Sequence, residues 1–243
     1  MNQIYIDTVR LLLAIAPAVF ASGRFAMKGG TALNLFVQEM PRLSVDIDLV
    51  FRGTALAVET RSLVGTAQEM FTTDLAVPVL ATAELYGSKL VAAMDRQHPR
   101  DIFDVQHMLD RFGWQPSFID CFVVYLAGHN RPVHEVLFPK AKPLEATFTN
   151  GFTGMTRDAV ELATLDQMQI RLLHELPQQL TPAHQRFLLS LVRGEPAWEL
   201  MPIQHLRELP ALKWKQMNLA KLKKSSAKRF AAQHEMLAER FAG

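Results

Sequence analysis

One cysteine in 243 residues, Cys121, excludes a disulfide within the chain. It lies in the apolar string FIDCFVVYL and reads as a buried structural thiol, which suits a reducing cytoplasm. A strong charge bias is also missing. Lys and Arg number 26 against 24 Asp and Glu, and the resulting net charge of +2 says little about partners by itself. Long hydrophobic runs are scarce. The longest, Leu11 to Ala21, is interrupted by Pro17 and is too short to span a bilayer. Only Arg10 stands before it as a basic residue, and Asp7 argues against a secretion leader. The run therefore reads as a buried N-terminal helix, and no membrane partner is expected. There is no internal repeat, no low-complexity tract and no Cys/His cluster with zinc-ligand spacing. His98, His107, His129 and His134 are scattered and read as structural or surface residues.

What is present is a chain that is 49% hydrophobic, enough for substantial cores. Its basic residues are unevenly placed: from Lys213 to Gly243 eight Lys and Arg face only Glu235 and Glu239. Composition changes after Gly113, which predicts one domain over 1–113 and a helical one with a basic tail over 114–243. Helices are expected over 3–21, 32–39, 83–98, 100–112, 118–126, 157–176, 181–192 and 213–241. A strand is expected before Gly29, a second over Ser44 to Phe51 and a third near Ala55 to Glu59. Trp198 and Trp214 lie among apolar residues and read as packing anchors.

The densest chemistry lies in MKGGTALNLFVQEMPRLSVDIDLVF, residues 27–51. Strand, Gly29-Gly30 turn and helix start, with Thr31 as a possible N-cap, present free backbone N–H groups and the positive end of a helix dipole, which suits phosphate. On the following strand Ser44, Asp46 and Asp48 share one face. Two adjacent carboxylates repel unless a cation lies between them. Alone, the glycines read as an ordinary turn and the aspartates as a solvated edge; in this order they point to a divalent metal beside a phosphate-binding turn. Downstream, Lys89 lies on a polar helix stripe, and Arg100 and Asp104 can pair at i and i+4.

Taken in order, GGTALNLF, RLSVDIDLVF and ELYGSKLVAAMDRQHPRDIFDV resemble the AbiEii/AbiGii-type nucleotidyltransferase toxins of bacterial toxin–antitoxin systems. FTGMT at 152–156, LTPAHQRFLLSLVRGEPAW at 180–198 and LPALKWKQMNL at 209–219 extend the resemblance over most of the chain. It implies an α+β fold: a small mixed β-sheet core of the polymerase-β-like type, then a helical C-terminal domain. By the same resemblance Gly29, Gly30 and Thr31 cradle the triphosphate of an NTP, with Ser44, Lys89 and Arg100 beside it. Asp46 and Asp48 bind Mg²⁺ or Mn²⁺, and together with Lys89 and Asp101 they form the catalytic set. The implied reaction transfers nucleotides to RNA, the tRNA 3′ end in several members, and the implied partner is a cognate antitoxin. Such cores add a third carboxylate from a neighbouring strand. Here Phe51 runs directly into RGTALAVETRSL, so either Glu59 serves as the third metal ligand or the core has lost a strand and that ligand. The alternative is a catalytically impaired relative that binds a nucleotide or a partner.

Overall fold

The computed structural model describes residues 1–242. Its first half is α1 (Gln3–Phe20), β1 (Phe25–Lys28), α2 (Gly29–Phe36), β2 (Asp48–Phe51), β3 (Val58–Ser62), α3 (Gly65–Phe71), β4 (Ala76–Leu80), α4 (Thr82–Asp95) and α5 (Pro99–Phe112). Helices follow: α6 (Pro116–Gly128), α7 (Val133–Leu137), α8 (Glu145–Gly151), α9 (Leu162–Gln178), α10 (Pro182–Val192), α11 (Pro210–Ser225) and α12 (Ala227–Ala242). The fold is α+β, as expected.

The sheet is mixed, in the order β2-β1-β4-β3. β1 runs antiparallel to β2 and parallel to β4, and β3 closes the far edge antiparallel to β4. Ala26, Met27, Val77 and Val79 make its two central strands apolar and buried, whereas β3, Val-Glu-Thr-Arg-Ser, is a polar edge. α1 buries Val9, Leu12, Leu13, Ala16 and Phe20. It runs through Pro17, and by length and composition it could cross a membrane, although one of its faces is packed in the core. α4 packs along α6, across the composition change at Gly113, and one hydrophobic cluster takes in residues from both sides.

Several boundaries differ from the sequence reading, each for a local reason. The aspartate segment pairs as a strand only from Asp48, because β1 ends at Lys28 where α2 begins. Residues 43–47 are held otherwise: the Leu43 N–H donates to the Met155 carbonyl at 2.8 Å, and the Thr31 hydroxyl donates to the Asp46 carbonyl at 2.5 Å. The third strand starts at Val58 because the N–H groups of Leu56 and Ala57 are taken by the Glu84 carboxylate, at 2.9 and 3.0 Å. The tail is two helices, broken at Ser226. α10 starts as its sequence suggests, with Thr181 and His184 in a capping box and Pro182 at the first helical position.

Candidate active site

β1 delivers the chain to Gly29 and Gly30, which open α2. Gly29 has φ +75°, in the left-handed region that favours glycine. It also lets Asp48 approach: a Cβ at Gly29 would lie 2.0 Å from Asp48 Oδ2. Gly30 is equally constrained, since its Cβ would lie 2.7 Å from both Arg42 Nη2 and Ser44 Oγ. The Asp48 carboxylate thus stands against the N-terminal turn of α2, where the helix dipole favours negative charge. Asp48 and Lys28 are register partners across β1 and β2.

A cavity of about 120 Å³ opens here, lined by Gly30, Ser44, Asp46, Asp48, Lys89, Arg100 and Asp101 together with Arg42, Arg96 and His98. Asp46 is well exposed, and its nearest ionic neighbour is Arg100, with Nη1 3.9 Å from Oδ2. The cavity floor is a buried ionic network. Arg42 grips Asp104 with two hydrogen bonds, Nε to Oδ1 at 2.7 Å and Nη2 to Oδ2 at 2.6 Å. Lys89 Nζ lies 2.9 Å from Asp101 and 3.0 Å from Asp104, and Arg96 meets Asp101 at 2.8 Å. Asn34 donates both to Asp104 and to the Gly30 carbonyl, at 3.1 and 2.9 Å, tying the network to the glycine turn.

Burial alone would raise both aspartate pKa values. The cations beside them, Arg42 and Lys89 for Asp104, Lys89 and Arg96 for Asp101, outweigh it and hold both carboxyls below the ordinary range. Burial likewise opposes charge on Lys89, and Asp104 and Asp101 reverse the effect, so its ammonium is held above the ordinary value. Lys89 is thus a fixed cation at neutral pH. Burial and the neighbouring Arg100 lower the pKa of His98, whose Nδ1 accepts from the Arg100 N–H and caps α5.

Three sequence expectations change. Thr31 does not cap α2, which begins at Gly29, and its hydroxyl points to the 44–46 backbone, where it orients the aspartate segment. Arg100 and Asp104 do not pair on the surface, because Asp104 is fully buried under Arg42 and Lys89. Glu59 is not brought to the site. It lies on β3, separated from β2 by β4 and β1, with its side chain 47% exposed and paired to Arg61 at 2.5 Å. β4, the other neighbour of β1, is Ala-Val-Pro-Val-Leu and supplies no carboxylate either. Among the described residues no group of three or more His, Cys, Asp or Glu could hold a metal by themselves. Glu59→Gln is accordingly expected to leave any activity of this cleft within twofold of the unaltered protein, checked by initial rates.

The sequence does not mark Arg42, Arg96, His98 or Asp104 as site residues: it reads His98 as structural or surface and Asp104 as a surface partner of Arg100. For Asp104 a signal exists: it follows Asp101 by three residues, so the two share a helix face. For Arg42 the only hint is its place two residues before Ser44 on an extended segment.

The family described as Nucleotidyl transferase AbiEii toxin, Type IV TA system, matches residues 10–68 and 48–217. The chain belongs to this AbiEii nucleotidyltransferase toxin family. The two matched segments overlap over residues 48–68, which include β2 and β3. Among solved structures the fold is similar to MenT4, a nucleotidyltransferase toxin from Mycobacterium tuberculosis H37Rv, with a TM-score of 0.55 and 16% identity over 87% of this chain and 92% of that one. No curated protein matches the sequence.

Proposed function

We propose that the protein transfers a nucleotidyl group from an NTP to an RNA acceptor, the 3′ end of a tRNA, with Mg²⁺ or Mn²⁺ as cofactor. The observation that carries this reading is a single cleft in which two open carboxylates stand with a glycine turn and four cations, Arg42, Lys89, Arg96 and Arg100. The carboxylate pair fits a hard divalent ion. Asp46 is solvent-facing and only loosely held by Arg100, and two such carboxylates suit a metal that completes its shell with water and phosphate oxygens. Asp46 and Asp48 would hold it, and when bound it neutralises phosphate charge and favours ionisation of an attacking hydroxyl.

The remaining work falls to the chain itself. Gly29 and Gly30 bring backbone N–H groups of α2 within reach of a phosphate. Lys89, kept charged and aimed by Asp101 and Asp104, offers a fixed positive charge to the departing pyrophosphate. Arg96 and Arg100 add cations at the mouth, and His98 orients Arg100 through its backbone. A cognate antitoxin is the expected protein partner.

The two-carboxylate site favours one second reading, an impaired relative that binds NTP or a partner without chemistry. Incubation with Mg²⁺, labelled NTPs and total tRNA separates the two. Label on tRNA is expected, falling by roughly three powers of ten in Asp48→Asn and Asp46→Asn while thermal stability is kept. NTP binding without label would sink transfer in favour of the second reading. Label on a protein band would replace the RNA acceptor with a protein one.

A further inference from the structure

α11 carries five lysines and no acidic residue. Lys215 is structural: it is buried, donates to the carbonyls of His129 and Arg131 at 2.8 and 2.7 Å, and is pulled down to a pKa of about 8 by that burial. It pins the helix beside the end of α6. Of the four exposed lysines, only Lys213 has a carboxylate partner among the described residues, Glu208 at 2.7 Å. The exposed face also presents Trp214, 55% exposed against the expectation of a packing anchor; Trp198, by contrast, packs on Phe187. Lys221 Nζ stands 5.8 Å from the centre of the Trp214 ring. Trp214, Lys221 and Lys224 follow at intervals of seven and three residues, so they form one stripe along the helix.

The helix also points somewhere. At the start of the helix Pro210, Ala211 and Leu212 line a second cavity of about 530 Å³, whose wall also includes Lys28 and Val50. Val50 follows Asp48 by two residues on β2, and Lys28 is the register partner of Asp48, so this wall is the same sheet face that carries the Asp48 carboxylate. The start of α11 therefore borders a cavity that reaches the strand pair carrying Asp48.

We propose that this face of α11 is a track for single-stranded RNA, with Trp214 stacking one base and Lys221 and Lys224 meeting the adjoining phosphates. Charge complementarity selects the occupant: unpaired lysines attract a polyanion, and an exposed indole offers a sequence-tolerant platform for a base. The proposal rests on the RNA-acceptor reading above and assigns the path by which that acceptor reaches the site.

The test is equilibrium binding of a short fluorescein-labelled oligouridine to the full chain at several salt concentrations, read by anisotropy, with tryptophan quenching in parallel. Trp214→Ala is expected to weaken binding about tenfold and to remove most of the quenching, whereas Trp214→Phe keeps most of the affinity. Lys221→Gln with Lys224→Gln is expected to flatten the plot of log affinity against log salt by about 0.7 per lysine. All these positions are exposed, and circular dichroism should be unchanged. Asp48→Asn, expected to lose transfer, should bind oligouridine as the unaltered protein does, which separates failure of chemistry from failure of the track. Binding and salt dependence unaffected by every α11 variant would overturn the proposal and leave this face to another partner, a protein included. Absence of binding by the unaltered protein would overturn it as well.

Discussion

Asp104→Asn is expected to cost the fold about 3–5 kcal/mol, a fall in melting temperature of roughly 6–20 °C. The reason is the position of Asp104 beneath the cleft. Its carboxylate is fully buried and bound by Arg42, Lys89 and Asn34, so removing its charge leaves the Arg42 guanidinium buried without a counterion and Lys89 with Asp101 alone. Arg42→Met should cost a similar amount, and Arg42→Met with Asp104→Leu less than the two losses added, because an apolar pair of suitable volume does not strand a charge. Additive losses in the double variant would refute this account. The network also sets an acid limit. Asp104 and Asp101 have folded pKa values below the ordinary 3.8, so between those values the unfolded chain binds more protons than the folded one. Their contribution is present above the ordinary value and is lost as pH falls toward the folded ones. Urea titrations from pH 6 downward should show a steeper loss for the unaltered protein than for the apolar double variant.

Gly29→Ala is expected to reduce nucleotide transfer by about a hundredfold with a much smaller effect on stability. The backbone there has a positive φ, which costs a residue bearing a side chain about 1 kcal/mol or somewhat more. The larger consequence is steric, since the new methyl would occupy the position of the Asp48 carboxylate, 2.0 Å from Oδ2. The carboxylate must swing away, and a displacement of about 1 Å at a reacting centre is enough for a hundredfold loss. Kinetics should show the fall in kcat. In denaturant melts, Gly29→Ala combined with Asp48→Ala should be more stable than the sum of the single changes predicts, because shortening Asp48 removes the clash. Unaltered kcat in Gly29→Ala would show that the approach of Asp48 to the turn does not matter.

The legible part of the site was the part written in short spacings. Gly29-Gly30, the group Ser44, Asp46 and Asp48, and the Arg100-Asp101 pair are each close together in sequence, so their proximity is local, although only Asp48 of the second group lies in a strand. The structure brings Gly30, Ser44, Asp46, Asp48, Arg100, Asp101 and Lys89 to one cleft, with Gly29 packed against Asp48 beside it. What escaped depends on partners distant along the chain. Arg42 and Asp104 are 62 residues apart, and nothing near either one announces the other. Thr31 has the composition of a helix cap, but its hydroxyl is claimed by a carbonyl fifteen residues on. Glu59 fails through topology: strand order, which local sequence does not encode, puts it at the opposite edge of the sheet. β4 escaped because Pro78 interrupts a string of only five residues, and proline ordinarily argues against an interior strand.

The extended segment that carries Arg42 into the site is held from outside the first half of the chain. Arg42 forms a β-bridge with Thr156, Leu43 donates to Met155, and Arg157 donates to Pro41, while the Asn2 N–H reaches the neighbouring Gly154 carbonyl. During synthesis, then, the glycine turn and both aspartates leave the ribosome long before the strip that sets them in place. A nascent chain still short of residue 157 carries the reactive groups without the clamp that aligns them. Assembly of the segment that carries Arg42 into the cleft therefore waits for residues 155–157.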